Sequence, residues 1–520
     1  MSVPAPTLAA TLPGPGTIVA GSIGALLAIA ALSLLMRRRP DALPLLAIAA
    51  LPFRLPISAD GRTVNLLIPL YLVVAAGTVT FLLPRWLGLS VKGSCNADGC
   101  GDRRQQQRMQ ESATGSPTKM TTWLSPLGVE RLLLVAVVLY ALQGVYSADH
   151  AKAAENVAFF YIPFGLLFML LRDVRWTREL MLRCLALAVA LAVVFAGIGF
   201  VEYARKQLFL NPKVVAANEY GNYFRVNSLF FDPNIYGRFL AIVMIALTAV
   251  VLWSARRRDV LIGAGVLGWL LAGLVTSFSQ SSIAALLLGL AVLAAYRWDV
   301  RATVYVAGAL VAIAAVVVLS APPSLHFGLN GSGGSTSNAT SGRTKLISGG
   351  LELFADRPLY GYGAGSFETE YRRHGHARDA ANATSASHTI PITVAAEQGV
   401  VGLAVYVALL LAAFAVLFRG AGLRSPPRPK PGDTRLRPKS GDTRLRRESP
   451  FRPASPVRPA LAACFAALVL HTWTYADFLE DPITWTLLGI GVALARAGSV
   501  WGVTREPVAS ASVLAAGHGS

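Results

Sequence analysis

Eight polar side chains stand at the edges of long apolar runs or in the loops between them: Arg225, Asn234, Arg238, Ser279, Gln280, Arg343, His388 and Glu397. Their types suit one kind of chemistry. Arginine presents a planar fork that donates two parallel hydrogen bonds to a phosphate or diphosphate. A histidine held near neutral pH in a partly desolvated place can take a proton from a hydroxyl. Asparagine, glutamine and serine can hydrogen-bond a sugar or a phosphate oxygen. Each residue also has a plainer reading. Arg225 beside an apolar run can reach up to lipid headgroups along its own stem. The hydroxyl-rich turn Thr276 to Ser282 can serve only to satisfy a tight interhelical connection. Arg238 lies one turn inside a run, and Glu397 lies within the first turns of another; charges so placed need a partner or a wet cavity.

The segment 321–390 separates two late apolar runs, and a polar connection of that length is seldom kept without function. Arg343 opens a helical pattern with Leu346, Leu351, Leu353 and Phe354 as its apolar positions, closed by Asp356-Arg357-Pro358. Gly361, Gly363 and Gly365 form a Gly-x-Gly-x-Gly turn. No strand precedes it, so a dinucleotide site is excluded and close backbone packing is the reason for glycine. His374-x-His376 lacks a nearby acid or cysteine to complete a metal site. His388 stands just before Pro391, where the chain turns apolar again. Asp232-Pro233-Asn234 reads as a helix entry.

What positions these residues follows from composition. Of 520 residues, 54% are hydrophobic and 14% charged, with a mean hydropathy of +0.52. Soluble domains carry about 25% charged residues, so the chain reads as an all-α integral membrane protein. The net charge of +19 is distributed in loops between apolar runs, which favours anionic membrane lipids over nucleic acid as the partner of the basic segments. Cys184 and Cys464 lie in apolar runs. Cys95 and Cys100 have no second pair or histidine nearby, so neither a disulfide framework nor a zinc site is expected.

Spans of about 20 apolar residues are expected near 17–36, 42–57, 64–84, 129–147, 154–171, 179–201, 234–254, 259–276, 281–296, 302–320, 391–418, 459–476 and 482–498, or 12–13 in all. The chain thus divides into N-terminal spans (1–84), a polar loop (85–128), central spans (129–320) with an outer loop at 202–233, the large loop 321–390, a span (391–418), a basic Pro-rich loop (419–458), the last spans (459–498) and a tail (499–520). The first apolar run is long enough to remain as a span. Loop 419–458 holds twelve Lys/Arg against three acids and a nine-residue near-repeat, Arg428–Leu436 and Arg437–Leu445. Both it and 85–128 are too polar to fold alone. Arginine clusters (37–39, 172–178, 256–258, 297–301) and these two loops fall on alternate connections, which the positive-inside rule assigns to the cytoplasm. Segments 202–233 and 321–390 then face outward.

Arg225 with Asp232-Pro233-Asn234-x-x-Gly237, Gly342-Arg343, Asp356-x-Pro358-Leu359-x-Gly361-x-Gly363, and His388 leading to Glu397-Gln398-Gly399-Val400-Val401-Gly402 together resemble the O-antigen ligase and O-antigen polymerase family. The resemblance covers 220–300 and 340–418. It implies a GT-C-like helical fold with a long outer loop, in the plasma membrane. It implies transfer of a glycan from an undecaprenyl diphosphate carrier to a glycan or lipid acceptor on the extracytoplasmic side, with inversion and with no cofactor or metal. By that resemblance Arg225 and Arg343 bind the diphosphate, and His388 orients or deprotonates the acceptor. Two positions depart from the pattern: Thr389 stands where the family often has asparagine, and Ser279-Gln280 where it often has Ser-Arg. Ligase and polymerase share this signature. A transporter or flippase of a lipid-linked or anionic solute is the competing class, but such proteins show repeated halves with polar breaks at mid-membrane, and here the polar residues gather at one surface.

Overall fold

The computed structural model describes residues 15–59, 62–88, 123–209, 224–298, 336–375, 389–418 and 455–501. The described residues form a helical bundle: α1 (Pro15–Arg38), α2 (Ala42–Ala50), α3 (Ile68–Trp86), α4 (Pro126–Gly144), α5 (His150–Arg172), α6 (Arg178–Arg205), α7 (Pro233–Trp253), α8 (Arg257–Thr276), α9 (Gln280–Arg297), α10 (Thr336–Asp356), α11 (Phe367–Arg373), α12 (Ile390–Phe418), α13 (Val457–Thr474) and α14 (Pro482–Trp501). Ten of these are long and apolar enough to cross a membrane, and α14 contributes a shorter apolar stretch.

The spans start where the sequence supplies a cap. Ser125, Asp149, Thr177, Asp232 and Ser279 each accept a backbone N–H from the first turn of the helix that follows, and Pro126 and Pro233 occupy the first helical position, where no N–H is needed. Helices α7 and α13 are the most deeply buried spans; α1 and α8 are the least. Helix α13 lies along α9, α7 against α8, α9 and α13, α4 against α12, and α14 against α5.

The second expected span, 42–57, is a correction. Only Ala42–Ala50 is helical, and an antiparallel hairpin follows, β1 (Leu55–Ala59) paired with β2 (Arg62–Leu66) from Leu55↔Leu66 to Ala59↔Arg62. Nine residues rise about 14 Å, well short of the bilayer core. Pro52 and Pro56 remove backbone donors that a continuing helix would need, and Leu55, before Pro56, is already in the strand. The hairpin is a small exception within a helical fold. The expected span 302–320, loop 85–128 from residue 89 to 122, and loop 419–458 up to 454 lie outside the described residues.

The arginine clusters gather at one end of the bundle. There Glu130 at the start of α4 pairs with Arg172 of α5 at 2.6 Å and with Arg496 of α14, while Asp173 pairs with Arg85 of α3 at 2.5 Å. This basic end is tied by ions. The opposite, loop end carries the α7, α9 and α12 starts and the α6, α8 and α13 ends.

Candidate active site

At the loop end, the segment 224–228 is fastened from below by one carboxylate. Glu202, fully buried in the last turns of α6, accepts the backbone N–H of Phe209 (3.0 Å), Asn227 (3.2 Å) and Ser228 (2.7 Å). Val226 N–H donates to the Thr276 carbonyl at 3.2 Å, binding the segment to the end of α8. Arg225 is thereby placed half-buried over the α7 and α9 starts. Its Nε donates to the Ser277 carbonyl and its Nη2 to Asn234 Oδ1, both at 3.2 Å.

Asn234 and Ser279 meet beneath it. Ser279 Oγ donates to Asn234 Oδ1 at 2.9 Å and lies 2.8 Å from Ser282 Oγ. Ser281 and Ser282 in turn reach Nε2 of the fully buried His471 on α13, at 3.3 and 3.1 Å. The chain has a direction. Asn234 Oδ1 accepts from both Arg225 and Ser279, so the Ser279 proton is committed; its oxygen accepts the Ser282 N–H at 3.4 Å, and Ser282 Oγ donates to the Asn234 backbone carbonyl at 3.3 Å. His471, through these hydroxyls, helps to keep the Asn234 oxygen turned toward the guanidinium. Gly237 permits the contact: a Cβ there would stand 2.6 Å from Ser282 Oγ. Gln280 opens α9 and is exposed.

Arg238 points the other way. It is buried with Asp481, Nε to Oδ2 3.0 Å, and its Nη1 donates to the Ala476 carbonyl at 3.4 Å. Asp481 also caps α14 by accepting the Ile483 N–H at 3.0 Å.

The second half of the site is a backbone clamp. Helix α12 is interrupted at Gly399 (φ 65°, ψ −163°), and the turn Pro358–Gly363 enters the break. Tyr362 and Gly363 N–H donate to the Ala396 and Glu397 carbonyls at 3.2 and 2.8 Å, and Val400 N–H donates to the Pro358 carbonyl at 2.7 Å. Glu397 finds its partners in the backbone: it accepts the N–H of Gly365 (2.9 Å) and Phe367 (3.1 Å) and so holds the start of α11. Helix α10 begins at Thr336, seven residues before Arg343, and ends at Asp356 as its sequence requires; Leu346 and Leu353 are buried, whereas Leu351 is exposed. The Arg343 side chain and all of His388 lie outside the described residues; Thr389, next to His388, accepts in the first turn of α12. His374 has both ring nitrogens engaged, Nε2 with Tyr362 Oη at 3.1 Å and Nδ1 with the Glu370 carbonyl at 2.9 Å. Among the described residues no group of three or more His, Cys, Asp or Glu could hold a metal ion.

Between the two halves runs the turn 475–481, whose role the sequence reading missed. Glu480 accepts from Asn156 Nδ2 at 2.9 Å, and Asn156 also donates to Tyr140 Oη at 2.7 Å. Burial, then the neighbouring Asp477, raises the Glu480 carboxyl to about 8; Glu397 adds to the rise and Lys152 opposes it. A carboxyl raised on folding keeps its proton in the folded state at pH values where the unfolded chain has lost it. Stability therefore falls as pH climbs from about 4.5 through 8. The thermal midpoint of wild type should drop across that interval, and Glu480→Gln should flatten this part of the slope; an unchanged slope in the variant would assign it to other groups.

No curated protein matches the chain. Residues 265–407 match the family model described as O-antigen ligase. The match takes in the hydroxyl turn with Ser279 and Gln280, α10 with Arg343, the clamp, His388 and Glu397, and leaves Arg225, Asn234 and Arg238 just before it. That O-antigen ligase match, set in a bundle of membrane-length helices, supports the resemblance to the O-antigen ligase and polymerase family over this part of the chain.

Proposed function

We propose that this membrane enzyme moves a glycan from an undecaprenyl diphosphate carrier to an acceptor hydroxyl on the outer face of the plasma membrane, as an O-antigen ligase does. The observation that carries the reading is the O-antigen ligase match over 265–407, whose clamp and hydroxyl turn stand at the same end of the bundle as Arg225. In this reading the donor diphosphate lies at headgroup level on Arg225 and Arg343. Their fixed charges stabilise the leaving group as the bond from the anomeric carbon to the phosphate oxygen breaks. The acceptor oxygen attacks that carbon from the opposite side, its proton passes to His388, and configuration inverts. Ser279, Asn234 and Gln280 line the approach, and Glu397 acts by holding the loop. Arginines clustered at the far end favour the cytoplasm there by the positive-inside rule, which supports an outward-facing site.

The test is transfer in membranes from a purified lipid-diphosphate-linked oligosaccharide, with a chelator present. Wild type should transfer without metal. Arg225→Ala, Arg343→Ala and His388→Ala should each lose roughly 10²–10³-fold at normal protein level, the range for removing one preorganised charge or proton acceptor. A single product indicates ligation; a ladder indicates a polymerase. Wild type that transfers nothing while the carrier still binds or crosses the bilayer would replace the reading with a transporter.

A further inference from the structure

One cavity among the described residues is far from this chemistry. A cleft of about 650 Å³ opens at the basic end between α2, α6, α7, α13 and α14. It follows one face of α7 from Phe239 to Trp253, fourteen residues or about 21 Å, longer than the ~15 Å of one leaflet's hydrocarbon. Its depth is apolar, and the polar atoms there are already engaged: Thr486 Oγ1 donates to the Pro482 carbonyl at 2.8 Å, and Cys464 Sγ contacts the Ile242 carbonyl at 3.6 Å. Such a space offers water no partners and is costly to leave empty. Its inner end stops at Phe239 and Ile483, one and two residues from the Arg238–Asp481 pair, which is not part of the lining.

The mouth differs in chemistry. Trp176, Trp253, Arg178 and Asp259 line it, and exposed Arg256, Arg257 and Arg258 adjoin Asp259. Tryptophans mark the headgroup level, and each arginine near the surface favours an anionic headgroup; Arg178 and the three adjoining arginines outnumber the acids there, Asp259, Glu179 beside Arg178 and Asp41 near Cys184. We propose that the cleft binds one anionic glycerophospholipid of the basic-end leaflet, its acyl chains along α7 and its phosphate on Arg178. The site uses none of the residues invoked for glycan transfer.

Both cysteines among the described residues, Cys184 and Cys464, are buried and line this cleft, and they report on it directly. Full-length protein carrying Cys95→Ser and Cys100→Ser, purified and delipidated in detergent, would be labelled with N-dodecyl maleimide. Phosphatidylglycerol should slow labelling at least tenfold, phosphatidylcholine several-fold less. Arg178→Glu, a surface change, should remove the preference for phosphatidylglycerol while leaving the labelling rate without lipid unchanged. Native mass spectrometry of gently purified wild type should show one retained anionic lipid, lost in Arg178→Glu. Equal protection by both phospholipids, protection by undecaprenyl phosphate alone, or no protection by any lipid would each overturn the proposal.

Discussion

Gly399→Ala should unlock the large loop and destabilise the protein by at least about 3 kcal/mol. Two independent effects act at this position. Its φ of 65° with ψ of −163° lies in a region open essentially to glycine alone. A Cβ would also stand 2.4 Å from the Leu359 carbonyl carbon and oxygen and 2.6 Å from Tyr360 N, backbone atoms that cannot swing aside. Displacing Leu359 undoes more than one contact. A continuous helix would pair Val400 N–H with the Ala396 carbonyl and Val401 N–H with the Glu397 carbonyl. At the break all four groups bond to the inserted run instead: the two carbonyls to Tyr362 and Gly363, the two N–H groups to Pro358 and Leu359. Buried backbone groups without partners are costly, most of all in a bilayer, so run and break stand or fall together. Gly361→Ala should behave alike, since its Cβ would lie 2.3 Å from the Glu397 carbonyl oxygen. Gly268→Ala is the control: its Cβ meets nothing within 4 Å, on an ordinary helical turn of α8. The measurement is the thermal midpoint together with limited proteolysis between α10 and α12. Retention of both the midpoint and the protease resistance in Gly399→Ala would show that the clamp contributes little.

How much of this was legible in the sequence follows how local each feature is. Apolar runs are local, so most spans fall within a few residues of their expected ends. Cap-and-proline entries are local too: Asp232-Pro233-Asn234 announces the start of α7, with the Asn234 N–H on Asp232 Oδ1 at 2.6 Å. Asp481-Pro482 carries the same grammar before α14, and reading it would have drawn attention to the turn 475–481. The run 42–57 misled because average hydropathy outweighs two prolines whose effect is steric. Partners distant in the chain could not be read at all. Glu397 needed a partner at that depth, but Gly365 and Phe367 lie some thirty residues earlier and offer backbone N–H groups, which residue type does not reveal. For the same reason Glu202 and His471, which position Arg225 directly and through the serines, carry no mark in their own neighbourhoods.

Arg238 tests where site ends and scaffold begins, because its sequence position suggested substrate and the structure gives it Asp481. Both side chains are nearly fully buried, 1% and 2% exposed. Removing one member of such a pair strands the other without water or counter-charge, which typically costs about 3–5 kcal/mol, whereas replacing both is often close to neutral. Arg238→Met and Asp481→Asn should therefore each destabilise by that amount. Asparagine isolates the charge, since its oxygen can still accept the Ile483 N–H that caps α14. The double variant should recover most of the loss, so that it costs far less than the roughly 6–10 kcal/mol sum of the two single effects, a strong coupling for residues in direct contact. Glycan transfer separates the roles. If Arg238 is held for the fold, the recovered double variant keeps the wild-type KM for the lipid-linked donor, because Arg225 is still fixed by Ser277 and Asn234. A donor KM raised tenfold or more in a stable double variant would put Arg238 on the substrate, and Asp481 would then be the group that holds it in place until the diphosphate arrives.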